Sequence, residues 1–268
     1  MIRTENLSRQ FGHISALGCV NIRIQPEKTT VIMGGSGSGK TTLLRLLASL
    51  ECPTSGNIYF NDENLVGIKQ KRLYELRAKM GMVFQYSALL NSLSVYENVA
   101  FPLREHSKLD EDVIRTMVTM KLEQVGLRGF EAMMPSQLSG GMAKRVAFAR
   151  ALAMDPQVVF FDEPTSGLDP ISAGVISNMI GDLTQRAKMT SIVVTHDVHA
   201  GLDIADHVIL LWQGEVIAEG TSDVIRNSQD ERVLQFIEGR PDGPIPFSRS
   251  ETSFIDDLMH KPGTVRLS

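Results

Sequence analysis

Apolar residues in this chain come in short runs, each about the length of a strand. Val20, Ile22 and Ile24 alternate with Asn21 and Arg23, which predicts one half-buried strand. Thr30–Met33, Val158–Phe161 and Ser191–Thr195 carry apolar or small residues on both faces, as strands buried in a parallel sheet do. Val208–Trp212, then Gln213-Gly214, then Glu215–Ala218 predict a strand, a turn and a returning strand. Helical spacing fills several of the gaps, Thr42–Leu47 among them. Such alternation predicts an α/β fold with a mainly parallel sheet.

Between residues 87 and 157 the strand runs stop and helical spacing takes over. This predicts a helical subdomain inserted into a core made of 1–86 and 158–240. Eight of the 13 methionines lie between Met80 and Met154. They either fill gaps among the helices, the plainer reading, or form a soft docking surface for a partner helix. Ser228 and Glu231 have the spacing of a helix-capping box. Val233, Phe236 and Ile237 would share one face of the helix that follows, and Gly239 would end it. Residues 241–268 hold four prolines and read as a tail. Six of its apolar residues, Ile245, Phe247, Phe254, Ile255, Leu258 and Met259, predict an interaction segment that reaches a second copy of the chain or a small partner.

Composition narrows the function classes. The 27 basic and 31 acidic residues give a net charge of −4, so nothing points to nucleic acid as a partner. The two cysteines, Cys19 and Cys52, make neither a disulfide framework nor a metal spacing; packing in a reducing compartment is their expected use. The opening MIRTENLSRQFG has no apolar signal core, and no run reaches the ~18 apolar residues that span a bilayer. The expectation is a cytosolic chain, able to reach a membrane by docking to something that spans it.

The chemistry begins at Gly34-Gly35-Ser36-Gly37-Ser38-Gly39-Lys40-Thr41, with Thr42 next. The stretch fits G-x-x-x-x-G-K-[ST] and lies between an apolar strand and a helix. Glycines let backbone N–H groups wrap phosphates, and the helix start adds partial positive charge. Lys40 can reach terminal phosphates, and the Thr41 hydroxyl can ligate Mg²⁺. A merely flexible loop would have no use for lysine and threonine there. The Val158–Phe161 strand then presents Asp162 and Glu163 at its end. Asp162 is placed to hold Mg²⁺ through water; Glu163 is free to orient or deprotonate an attacking water, a contribution of about 10²–10⁴ in rate.

A second glycine motif, Leu138-Ser139-Gly140-Gly141, follows the helical region. Gln85 follows Met82-Val83-Phe84. Pro164-Thr165-Ser166-Gly167-Leu168-Asp169 follows Glu163, and His196 ends the next strand run. In order and spacing, residues 2–240 resemble the nucleotide-binding subunits of ATP-binding cassette (ABC) transporters. The resemblance implies an ABC-type nucleotide-binding domain: a RecA-like phosphate-loop core, an antiparallel β portion and an inserted helical subdomain. It implies a homodimer that closes head to tail around two ATP molecules. Ser139, Gly140 and Gly141 would then cap the γ-phosphate held by the other copy, and Asp169 would communicate between the two sites. By the same resemblance Phe11 stacks on adenine, Gln85 senses Mg²⁺ and water, and His196 senses the γ-phosphate. Met142 departs from the usual glutamine of the signature, which puts one polar interface contact in doubt and leaves the capping residues intact.

Segment 86–106 resembles the part of a cassette that grips a permease, and it closely resembles the ATPases that serve MCE-type lipid transporters. Segments 120–129, 235–239 and 242–247 point the same way. That likeness implies a phospholipid transporter of Gram-negative envelopes. Its parts would be a membrane permease, a periplasmic lipid-binding MCE protein and a small STAS-domain protein on the ATPase. The chain would sit peripherally on the cytoplasmic face of the inner membrane. A soluble single-cassette ATPase of an assembly pathway, or the ATPase of another ABC transporter, stays open at this stage.

Overall fold

β1 (Ile2–Phe11) turns at Gly12-His13 into antiparallel β2 (Ile14–Val20), and β3 (Arg23–Ile24) returns to pair with the start of β1. The computed structural model, which describes residues 2–245, therefore breaks the single strand expected from Val20 to Ile24. The physical reason is local. Cys19 takes a positive φ of 54°, and the Thr4 hydroxyl accepts from the Ile22 N–H at 3.0 Å while donating to the Val20 carbonyl at 2.9 Å. Val20, Ile22 and Ile24 are buried all the same. Both cysteines are exposed, so the packing expected of them is not their role.

β4 (Thr29–Gly34) leads into α1 (Lys40–Leu47). The next elements are β5 (Ser55–Phe60), β6 (Glu63–Asn64), α2 (Gln70–Arg77) and β7 (Met80–Val83). Then come the helices α3 (Val95–His106), α4 (Glu111–Gln124) and α5 (Gly140–Leu152), with a 3-10 turn at Pro135–Gln137. β8 (Val158–Asp162), α6 (Pro170–Ala187), β9 (Thr190–Val194) and α7 (Val198–Ile204) follow. β10 (His207–Trp212), β11 (Glu215–Gly220) and α8 (Ser222–Arg226) close this unit, which runs to Asn227.

The strands make two sheets. One is antiparallel, in the order β2-β1-β5-β6 with β3 on β1. The other has six strands in the order β11-β10-β4-β9-β8-β7. Its five strands from β10 to β7 are parallel, and β11 is antiparallel at one edge. Every residue of β4, β8 and β9 is buried, as the unbroken apolar runs require of strands covered on both faces. Leu43, Leu44, Leu46 and Leu47 of α1 join Leu17, Val20 and Phe60 of the first sheet to Phe160, Ile192 and Ile209 of the second in one core. The fold thus combines a mainly parallel sheet, an antiparallel β portion and helices between β7 and β8, the architecture that the resemblance implies.

Two loops hold this frame in register. Asn98 on α3 is wholly buried. Its amide donates to the carbonyls of Leu90, Leu93 and Ser94 and accepts from the Leu90 N–H, which shapes the segment before the helix. The β10–β11 turn has Gln213 at φ 47° and Gly214 at φ 82°. Gly214 donates to the Ser38 carbonyl at 3.1 Å and accepts from the Gly18 N–H at 2.9 Å. A Cβ there would stand 2.8 Å from the Ala16 carbonyl oxygen, so only glycine fits between the two backbones.

The second unit begins at Ser228 and contains α9 (Glu231–Glu238). Its cap is not the expected box at Ser228. Asp230 is the N-cap and accepts from the Arg232 N–H at 2.8 Å. The Ser228 hydroxyl instead accepts from the Asp230 N–H at 3.2 Å, a turn that delays the helix by two residues. Gly239, at φ 64°, ends the helix as expected. The Gln235 amide then pairs with both backbone groups of Ile245, at 3.0 and 2.7 Å. The tail anchors expected at Phe247, Phe254, Ile255, Leu258 and Met259 lie outside the described residues.

Candidate functional site

Parallel pairing puts the ends of β4, β8 and β9 side by side: Ile32 is in register with Val194, and Val194 with Asp162. Loops leaving that edge of a parallel sheet are where α/β folds bind ligands. Gly35, Ser36, Gly37, Ser38 and Gly39 run from Gly34 at the end of β4 to the first residue of α1. Gly39 caps α1 at φ 100°, where a Cβ would meet the Ala16 carbonyl oxygen at 2.5 Å. Lys40 is mostly buried and curls back over the loop, donating to the carbonyls of Gly34 and Gly35 at 2.9 and 2.8 Å. Burial pushes its pKa down, while the charges of Glu163 and Asp162 oppose that shift. The Ser38 hydroxyl oxygen is buried with no hydrogen-bond partner among the described residues, which suits a loop built to face phosphate oxygens. Thr42, two residues beyond Lys40, is half-buried.

Thr41 Oγ1 donates to Asp162 Oδ1 at 3.2 Å. Asp162 is buried at the end of β8. Two hard oxygen donors so placed fit a cation that keeps most of its ligands as water and phosphate. Glu163 leaves the strand in a left-handed conformation, φ 49°, which is uncommon for a residue with a side chain and clusters at working sites. Its N–H donates to the Val194 carbonyl at 2.9 Å. Its carboxylate Oε2 lies 2.8 Å from His196 Nδ1, and the His196 ring is largely exposed. Gln85 donates from Nε2 to Ser166 Oγ at 3.4 Å. The structure thus joins Lys40, Thr41, Asp162, Glu163, His196 and Gln85 around one sheet edge.

Phe11 ends β1 and is 44% exposed, with the Arg9 guanidinium 4.4 Å from its ring centre. Arg9 also donates to the Cys52 carbonyl at 2.9 Å. One face of Phe11 therefore has a cation behind it, two residues back along the same strand.

The second glycine motif forms a helix start of its own. Ser139 is the N-cap of α5 and accepts from the Met142 N–H at 3.3 Å. A Cβ on Gly140 would meet Leu168 at 3.6 Å, and one on Gly141 would meet Ser172 at the same distance. Among the described residues, no hydrogen bond joins Ser139, Gly140 or Gly141 to the phosphate loop. Asp169 caps α6 and accepts from the Ile171 and Ser172 N–H groups at 3.0 Å each. Hydrogen bonds from Ser172 and Ile171 hold its carboxyl below the ordinary carboxylate range. A cleft of about 500 Å³ opens between Gln85 and Tyr86 on one side and Gly140, Lys144, Ser166 and Leu168 on the other.

A second groove, about 360 Å³, runs along the β7 edge of the sheet. Met80, Met82, Phe84, Phe101 and Met154 line it with Arg77 and Arg150. Met80 and Met82 are partly buried and pack against the main core, as the gap-filling reading expects. Arg150 was not foreseen as a site residue; it reaches the carbonyls of Ser87 and Ala88 at 2.9 and 2.7 Å.

Residues 17–166 match the family described as "ABC transporter". The chain is 47% identical to the intermembrane phospholipid transport system ATP-binding protein MlaF of Haemophilus influenzae, over 97% of this chain and 98% of the relative. It is 44% identical to MlaF of Escherichia coli K12, over 91% of this chain and 90% of the relative. A dimeric structure of a post-hydrolysis state of the ATP-binding cassette MJ0796, bound to ADP and Pi, superposes with a TM-score of 0.77 at 33% identity, covering 83% of this chain and 99% of that one.

Proposed function

The chain belongs to the ABC transporter family as an ATP-binding subunit and ATPase, and from that premise we propose that it powers phospholipid movement between the inner and outer membranes of a Gram-negative envelope. The observation that carries the lipid assignment is identity of 47% to a phospholipid-system ATPase over 97% of the chain. No helix among the described residues is long and apolar enough to cross a membrane. In this reading the chain sits on the cytoplasmic face of the inner membrane, held by a permease similar to MlaE. An MCE protein similar to MlaD and a small STAS-domain protein similar to MlaB complete the complex. The groove of Met80, Met82, Phe84, Phe101 and Met154 supports the permease part, because a flexible apolar trough accepts a helix.

The residues divide the work as follows. Backbone N–H groups of Gly35–Thr42 and the start of α1 bind the phosphates. Lys40, now turned onto the Gly34 and Gly35 carbonyls, exchanges them for phosphate oxygens. Thr41 and Asp162 would hold Mg²⁺, and the Gln85 amide would stand near it. Bound Mg²⁺ supplies neutralisation of charge on the phosphates. Glu163 orients a water in line with the terminal phosphate and takes its proton, and His196 steadies that carboxylate through Nδ1. Phe11, backed by Arg9, stacks on adenine. In the closed homodimer Ser139, Gly140 and Gly141 of one copy cap the nucleotide of the other, and Asp169 lies between the sites. ATP favours the closed state, so its hydrolysis releases the pair.

The test is affinity purification of the tagged chain from detergent-solubilised membranes, with mass spectrometry of what comes along. A permease together with an MCE protein is the expected result. Recovery of soluble assembly factors with no membrane protein would overturn the transporter reading.

A further inference from the structure

α5 starts with Ser139, Gly140 and Gly141 and then turns Lys144 inward, where the residue is 6% exposed. Its ammonium donates to the carbonyl oxygen of Gln85 and lies 3.4 Å from the carbonyl oxygen of Glu163. Two turns further on, Arg150 grips the next carbonyls of the same loop, Ser87 and Ala88. Ser87 and Ala88 have φ of 61° and 48°, so these cations hold a backbone that would relax if released. Burial lowers the pKa of Lys144, and the nearby charges of Glu163 and Asp162 oppose that. The residue makes no salt bridge within 4.0 Å among the described residues, only bonds to carbonyls. A buried cation held that way costs stability relative to an apolar side chain of similar size.

We infer that Lys144 is a positioning residue of the hydrolytic site: it ties the helix that begins with the signature to the backbone of Gln85 and Glu163. Both ties end on main-chain atoms, so they fix where the Glu163 carboxylate and the Gln85 amide start from. The helix start that caps the other copy's nucleotide is thereby linked through one side chain to the carboxylate of its own copy. The inference rests on the role given to Glu163 above.

Three variants of the full chain test it: Lys144→Met, Lys144→Arg and Glu163→Gln. Steady-state ATPase kinetics, ATP-analogue binding and thermal unfolding are measured for each. Lys144→Met should lower kcat by about tenfold to a hundredfold, the size of effect expected from a small misplacement of a reacting group. KM and analogue affinity should stay at the wild-type level, and the melting temperature should stay at that level or rise, since a buried cation gives way to an apolar side chain of similar size. Lys144→Arg keeps the charge and the N–H donors and should restore most of the turnover. Wild-type turnover in Lys144→Met would overturn the inference. So would a methionine variant that loses its fold, or an arginine variant that folds and stays as slow as the methionine one. If Glu163→Gln itself keeps turnover, the site assignment fails; if Glu163→Gln is inactive and Lys144→Met is fully active, only the inference fails.

Discussion

Asn98→Ala removes a side chain that is fully buried and makes four hydrogen bonds to the loop before α3. Its two N–H hydrogens serve three carbonyls, so about three of the four bonds count independently. At roughly 0.5–1.5 kcal/mol net for each, with backbone groups of Leu90 and Leu93 left to find other partners, the loss comes to about 2–4 kcal/mol. For a domain of this size each kcal/mol moves the melting point by roughly 2–4 °C, which gives a drop of roughly 5–15 °C. Differential scanning calorimetry reads that directly. Asn98→Asp keeps the acceptor but loses both donors and buries a charge, so it should be at least as damaging. The loop also contributes Ala88 and Leu90 to the methionine groove. Asn98→Ala should therefore weaken recovery of the permease more than it weakens ATP binding, whose loop lies elsewhere. A melting point within about 2 °C of wild type would refute the hydrogen-bond reasoning.

The remaining predictions concern the nucleotide. Glu163→Gln should bind ATP and fail to turn it over, so that ATP traps a dimer visible by size-exclusion chromatography; near-normal hydrolysis would remove Glu163 from its role. Lys40→Ala loses a charge-assisted contact of about 1.5–3 kcal/mol, and calorimetry should show ATP affinity falling by roughly tenfold or more; equal affinities would contradict it. A photocrosslinker at position 139 should label nucleotide held by the other copy, and labelling within a dilute monomer would defeat the trans arrangement.

Much of the nucleotide site was legible because its determinants are contiguous. A buried strand, six residues of glycine-rich loop and a helix start stand in a row from Thr30 to Leu47. The Val158–Asp162 strand announces itself by having no polar residue until its end. Other features depend on residues far apart in sequence. Lys144 and Arg150 read as ordinary surface charges of a helix, since their partners are carbonyls 19 to 63 positions away. The left-handed backbone of Glu163 leaves no trace in residue type. At Ser228 two competing caps stood two residues apart, and the choice of Asp230 turned on a local serine bond that spacing does not encode. The broken Val20–Ile24 strand was lost in the same way, to one hydroxyl from Thr4.

The turn at Gln213-Gly214 has a practical consequence for anyone who wishes to alter this protein. Hairpin tips are ordinarily the safest places to lengthen a chain, because nothing packs on them. This one is clasped on both sides, by Ser38 of the phosphate loop and by Gly18 of the antiparallel sheet. An epitope or fluorescent insert placed there would pry the phosphate loop from its support and register as lost ATP binding, though position 214 lies 172 residues beyond Thr42. The exposed turn at Asn61-Asp62 carries no such backbone clasp to the phosphate loop and is the better site for a label.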